Sequence, residues 1–264
     1  MASLLRSASR LNGLTGAARR SFASVISPGL VELHEVEVQP GRLKDYLRLS
    51  ASADAASPQL PAPLGTWTTD LGASSNRVYR LRTWAEGYKE RDAAQKAVQA
   101  NSEATLALSQ ADACTVKLAS SIFVEASSTL SAVGLPGLMV FEPVSQDKDA
   151  TVAYELRSYQ LKLGYTTVPR FLELYQEGLK DKLAADTSGE SVLVTLLYCE
   201  AGAANLNTVL ELWRHRQDRM TDMKVIAVLS DALLLSIVVT VVVYPSASIC
   251  WFCNRNKKPK ELQY

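Results

Sequence analysis

The sequence predicts an α+β protein made of two tandem ferredoxin-like (βαββαβ) units, the second short of its last helix and strand, followed by a C-terminal hydrophobic helix. Three observations carry this: an internal duplication, strand and helix periodicities in the order that plan requires, and a 22-residue uncharged run near the end. Composition sets the frame. The chain has 264 residues, 47% hydrophobic and 21% charged, with a net charge of +1. Those values exclude a wholly disordered chain, a collagen and a multi-span membrane protein. Four cysteines are too few for a disulfide scaffold, so packing must hold the fold.

Residues 1–22 carry Arg6, Arg10, Arg19 and Arg20 and no acid. Their Arg-, Ser-, Ala- and Leu-rich composition is that of a mitochondrial transit peptide, with a plastid address and a plain basic terminus as competing readings. Arg20-Ser21-Phe22-Ala23-Ser24 is similar to a matrix-peptidase cleavage site.

The first unit spans 30–126. Val31 to Val38 alternates apolar and polar residues as a strand does, and Pro40-Gly41 ends it. Leu43, Tyr46, Leu47 and Ser50 then recur at helical spacing. Leu64 to Gly72 and Asn76 to Leu81 make an antiparallel hairpin across a Gly/Asn turn. Glu86 to Ala113 is Ala-rich and breaker-poor, hence helical, and Ser121 to Glu125 is a short fourth strand. Residues 127–149, punctuated by Gly134, Pro136, Gly137 and Pro143, read as a linker.

The second unit, 150–214, repeats the pattern. Tyr154 to Leu161 is a strand ending at Gly164, and Val168, Phe171, Leu172, Tyr175, Leu179 and Leu183 form one helical stripe. A hairpin follows, Ser191 to Gly202 and Asn207 to Trp213. Glu32-Leu33 and Gly41 match Glu155-Leu156 and Gly164 at an offset of 123; Asn76, Val78 and Leu81 match Asn207, Val209 and Leu212 at 131.

Beyond Arg214 the pattern stops. The hydrophobic segment 225–253 contains the uncharged run Ala232 to Cys253, about 33 Å long as a helix and enough for a hydrocarbon core of roughly 30 Å. The basic tail 254–264 follows it. Three readings stand open: a membrane anchor through 232–253, a non-native tail, or a buried core helix. An incomplete second unit would leave one sheet edge open.

The residues 23–214 hold 17 Lys and Arg against 23 Asp and Glu, a balance that argues against nucleic acid as a partner. Only two histidines exist, so no zinc or non-haem iron site assembles, and neither a metal nor a cofactor is expected. His34, on the first strand, is either on a solvated face or lining a cavity between sheet and helices; Arg157 holds its position in the repeat. His215 reads as surface. Trp67 and Trp84 are core residues or, facing a barrel interior, the lining of an apolar pocket. These four, His34, Arg157, Trp67 and Trp84, are the candidate cavity-lining residues, with no catalytic residue among them. Glu35 and Glu37, two apart on a strand, read as solvent-facing. Cys250-Trp251-Phe252-Cys253 ends an apolar run beside lysines, a poor setting for redox chemistry, and Cys114 and Cys199 read as small apolar residues. No phosphate-loop, dinucleotide, zinc-protease or serine-hydrolase motif occurs.

The strand Glu155-Leu156-Arg157-Ser158-Tyr159-Gln160-Leu161-Lys162-Leu163-Gly164 and the segment Leu206-Asn207-Thr208-Val209-Leu210-Glu211-Leu212-Trp213 resemble the NIPSNAP domain. Gly65-Thr66-Trp67 and Asn76-Arg77-Val78 are similar to the same motifs, so the resemblance spans roughly 30–214. It implies a dimeric α+β barrel, in which two ferredoxin-like units pair their sheets with helices outside, and mitochondrial residence. It offers no catalytic residues to carry over. The resulting expectation is a non-enzymatic mitochondrial module that binds proteins or a small ligand, with a role in mitochondrial quality control and homo-oligomers as one form. The alternative is a cofactor-free monooxygenase-like or lyase-like enzyme of the same fold, with His34 and Arg157 as first candidates; only fold analogy supports it.

Overall fold

The computed structural model describes residues 29–142, 152–185, 189, 191–215 and 235–245. Strand β1 (Leu30–Val38) is covered on both sides over most of its length. Its alternation therefore separates two buried faces rather than core from solvent. Val31 and Leu33 point into a barrel beside Trp67, Tyr79, Leu81 and Phe123. Val36 and Val38 point outward, against Tyr46 and Ala111 of the helices.

The first unit continues through α1 (Leu43–Ala56), β2 (Gly65–Leu71), β3 (Arg77–Trp84), α2 (Tyr88–Ala100), α3 (Ser102–Asp112) and β4 (Thr115–Glu125). The helical stretch expected over 86–113 is broken in two. Asn101 leaves the helix with φ −96° and ψ 108°, and its side chain accepts hydrogen bonds from the Glu103 and Ala104 N–H groups. That cap satisfies donors a continuing helix would bond internally, so a new helix starts there. The linker is also more structured than its composition implies. It holds α4 (Ser127–Ser131) and a 3₁₀ turn at Gly137–Val140, and Leu130 and Leu138 are buried.

The second unit comprises β5 (Ala153–Leu161), α5 (Thr167–Ala185), β6 (Ser191–Gly202), β7 (Thr208–His215) and β8 (Leu235–Pro245). The duplication is a structural one. Glu32 pairs with Arg82 across β1–β3, and Glu155 with Trp213 across β5–β7, the residues that the offsets of 123 and 131 relate. Strand order is β4-β1-β3-β2 in one unit and β8-β5-β7-β6 in the other. Two seams, β2–β8 and β4–β6, then close an eight-stranded antiparallel barrel. Each seam joins the second strand of one unit to the last strand of the other, which relates the units by a pseudo-twofold along the barrel.

Strand β8 corrects the expectation of a C-terminal hydrophobic helix over the stretch 235–245. Its run of β-branched residues suits an extended backbone. A strand bonded on both edges reads as a continuous apolar segment, which periodicity alone does not separate from a helix. The sheet edge expected to be open is occupied by it, and the second unit extends past 214. Among the described residues, no helix is long and apolar enough to cross a membrane. The transit peptide, the Cys250–Cys253 motif and the basic tail lie outside the described residues.

The centre of the barrel interior is apolar. Trp67 and Tyr154 meet with ring centroids 5.5 Å apart, and Phe141 packs edge-on to Tyr154 at 6.1 Å. That row runs from the first unit, through the second, to the segment after β4, which plugs one mouth of the barrel with Leu138 and Phe141. Glu125 anchors the plug, accepting from the Leu138 N–H at 2.8 Å and the Thr195 hydroxyl at 2.7 Å. Glu35 and Glu37 share the inward face of Val31 and Leu33 toward the other mouth and are half-buried, not the solvent-facing pair expected.

Candidate functional site

The ionisable groups gather on the outer faces of the two sheets, under the helices. In the first unit Glu32, 2% exposed, accepts from the Trp84 indole N–H at 3.0 Å, from Arg91 at 2.7 and 3.2 Å and from the Ser120 hydroxyl at 2.9 Å. His34 Nε2 lies 3.2 Å from the same carboxylate. Burial by itself would raise the Glu32 pKa; the hydrogen bonds from His34, Arg91 and Ser120 outweigh it and hold the carboxyl far below its usual range. Beside it, Asp54 on α1 receives Arg80 and Arg82 from β3.

The second unit repeats this design with different residues. Glu155 takes the place of Glu32, and His215, the repeat equivalent of Trp84, reaches it with Nε2 at 3.1 Å. Arg157 Nη2 donates to Glu155 at 2.7 Å, and Ser191 Oγ meets His215 Nδ1 at 2.9 Å. Burial opposes ionisation of Glu155, but the bonds from His215 and Arg157 pull its pKa down to about 2. Glu211 is fully buried. Lys182 Nζ contacts both its oxygens at 3.0 Å, the Trp213 indole donates to it, and Arg157 Nη1 stands 3.6 Å away. The Arg157 guanidinium carbon is 5.3 Å from the Trp213 ring centre, and Lys182 Nζ is 4.8 and 5.0 Å from the rings of Trp213 and Tyr175, cation–π distances. Burial raises the Tyr159 and Tyr175 hydroxyls, and the Glu211 charge raises both further.

The four sequence-predicted residues fall in three places. His34 and Trp84 meet at Glu32 on the first sheet's outer face. Arg157 is in the second unit, enclosed by Glu155, Glu211 and Trp213. Trp67 is inside the barrel, 1% exposed, with its indole N–H lacking a hydrogen-bond partner among the described residues. The fold unites only the first two. His215, expected at the surface, is 1% exposed, because β7 runs two residues past the motif and carries it beneath the helix layer. Sequence reasoning passed over Asp54, Arg91, Lys182 and Glu211. Glu32 and Glu155 did carry a signal, since an acid at the same repeat position on a covered strand requires a buried partner.

A groove of about 590 Å3 lies at the plugged mouth, between the 3₁₀ turn and β6, with Arg214 at its wall. It lies apart from both charge clusters, which are on the outer faces.

No protein-family model matches the chain, and no curated protein matches it by sequence. Solved structures do resemble it. A candidate monooxygenase from Lactobacillus acidophilus NCFM is 11% identical, with 83% of this chain and 94% of that one covered and a TM-score of 0.52. A second, from Fusobacterium nucleatum, is 8% identical, with 82% and 92% covered and a TM-score of 0.53. NIPSNAP-family proteins are also among the structures found: a NIPSNAP domain protein from Burkholderia xenovorans is 20% identical over 37% of this chain and 95% of its own, with a TM-score of 0.34. At such identities a likeness speaks to the fold and not to chemistry. The chain has an α+β barrel fold of the dimeric-barrel type, with both ferredoxin-like halves supplied by one polypeptide.

Proposed function

We propose that the chain is a non-enzymatic mitochondrial NIPSNAP-like module that acts by binding a protein or a small ligand, in a role such as mitochondrial quality control. One observation carries this reading: the ionisable groups under the helices are engaged with one another. A general acid or base has to reach a substrate proton. Glu32 is surrounded by Trp84, His34, Arg91 and Ser120, and Arg157 is closed in by Glu155, Glu211 and Trp213. The barrel interior between them is packed with apolar side chains. Exposed Leu163, Tyr165 and Leu206 sit on two neighbouring loops, with Asn205 of the second bonded at 3.0 Å to Gln160 at the end of β5, just before the first, an apolar edge suited to a protein contact.

The test uses the full chain. Dioxygen uptake with activated phenols is expected to equal the buffer rate. A turnover that is lost in His34→Ala or Arg157→Ala, with the fold intact, would overturn the proposal in favour of a cofactor-free monooxygenase-like enzyme. The mitochondrial part rests on the composition of 1–22. It is tested by import into isolated mitochondria, where a protease-protected, shortened product is expected; a product left full-length and unprotected refutes it.

A further inference from the structure

Arg214 is set unlike the arginines deep in the charge clusters. Arg80, Arg82, Arg91 and Arg157 each pair with a carboxylate. Arg214 takes part in no such pair among the described residues; its Nε, like those of Arg80, Arg82 and Arg157, is buried without a hydrogen-bond partner among them. It occupies the repeat position of Thr83, on the inward face of β7 in line with Leu210 and Leu212. Val192 and Tyr154 are its strand partners. From there it lines the groove of about 590 Å3, a size typical of small-ligand sites. The remaining walls are mainly apolar: Pro136, Val140 and Phe141 from the plug, and Val192 and Val194 from β6. The plug wall is held in place by Glu125, through Leu138 and Thr195, so the groove is preformed.

We propose that this groove binds an amphipathic monocarboxylate, with the head on Arg214 and the alkyl chain along Val140, Phe141, Val192 and Val194. The proposal deepens the binding reading above and rests on it. A guanidinium fork matches a carboxylate with two parallel hydrogen bonds. Among the described residues that line the groove Arg214 is the one cation, and Glu142 lies at its exposed rim. A dianionic head would meet that acid with a single counter-charge, whereas a monoanion is balanced by Arg214 alone. This selects a carboxylate over a phosphate monoester.

The test is calorimetric titration of the full chain with dodecanoate, using dodecanol and dodecyl phosphate as comparators. Dodecanoate is expected to bind at one site, more tightly than either. Arg214→Met should weaken it about tenfold to a hundredfold, the usual range for a hydrogen bond to a charged group, and leave dodecanol unchanged. Glu142→Gln, at an exposed position that keeps the fold, should tighten dodecanoate a few-fold. Should Arg214→Met fail to fold, Arg214→Lys replaces it and should bind more weakly than the parent while still preferring the acid to the alcohol. Equal affinity for acid and alcohol, or no response to either Glu142→Gln or the Arg214 variant, overturns the proposal. If the parent protein does not bind dodecanoate, the site assignment fails and the module reading stands. If dodecanoate binds and is converted to product, the site stands and the non-enzymatic reading fails.

Discussion

Replacing Glu211 by Gln removes one negative charge from a cluster in which two carboxylates, Glu155 and Glu211, face two cations, Arg157 and Lys182. After the change both cations depend on Glu155, and the Lys182 ammonium loses the two 3.0 Å contacts that hold it. Removing one partner of a buried pair costs about 3–5 kcal/mol. The Lys182 side chain keeps 13% exposure and a flexible stem that reaches toward water, so the lower end applies, about 3 kcal/mol. For a chain of this size that lowers the melting temperature by about 6–12 °C. Urea unfolding followed by tryptophan fluorescence is a direct assay, because the Trp213 indole donates to Glu211. The cycle is completed by Lys182→Met and the double variant. Taking away the stranded cation should restore about 1–2 kcal/mol relative to the sum of the single changes. If Glu211→Gln unfolds within 1 kcal/mol of the parent, or the cycle is additive, the cluster is not the mutually neutralised structural unit that the binding reading requires.

Three further outcomes follow from the geometry. Gly202→Ala should destabilise more than Gly137→Ala, although both glycines have positive φ, 113° and 66°: a Cβ at 202 would stand 2.5 Å from the Ser120 backbone oxygen at the β4–β6 seam, while one at 137 meets the Glu125 carboxylate, a side chain that can shift at the cost of its bonds to Leu138 and Thr195. Equal unfolding midpoints for the two variants refute this. Lowering the pH should unfold the protein. Glu155, held near 2 against an ordinary 4.5, contributes on the order of 3 kcal/mol that is fully present above about pH 4.5 and lost as the pH falls toward 2, and Glu32 acts in the same direction. The slope of stability with pH over that window should flatten in Glu155→Gln, and an unchanged slope counts against the assignment. Finally, truncation after residue 234 removes β8 and bares the edges of β2 and β5. Hydrogen exchange at 66–71 and 154–161 should accelerate and the product should self-associate; a monomer with native protection shows that the barrel does not need that strand.

The duplication, the order of elements and the two hairpins were legible in the chain. They rest on local chemistry: period-2 alternation, glycine at turns, and apolar stripes at helical spacing, all of which survive in Glu32-Leu33 and Glu155-Leu156 or in Asn76 and Asn207. The break at Asn101 was legible in principle, since an Asn with an acid, Glu103, in the turn that follows is a helix start signal; the Ala-rich surroundings masked it. Which face of each strand meets solvent was not legible, because over most of the barrel neither does; Val116 to Leu118 on β4 are an exposed stretch. The barrel covers one face and the helices the other, so alternation reports a change of partner and not of exposure. That is why Glu35 and Glu37 face the barrel, why His215 is buried, and why the acids and bases beneath the helices had to be satisfied by residues far away in sequence, such as Arg91 for Glu32 and Lys182 for Glu211. The apolar run at 235–245 is the sharpest case. Its composition establishes that water is excluded, and helix, anchor and buried strand all satisfy that. Only the two free edges, β2 on one unit and β5 on the other, decide for a strand, because a closing barrel offers hydrogen-bond partners along both of its sides.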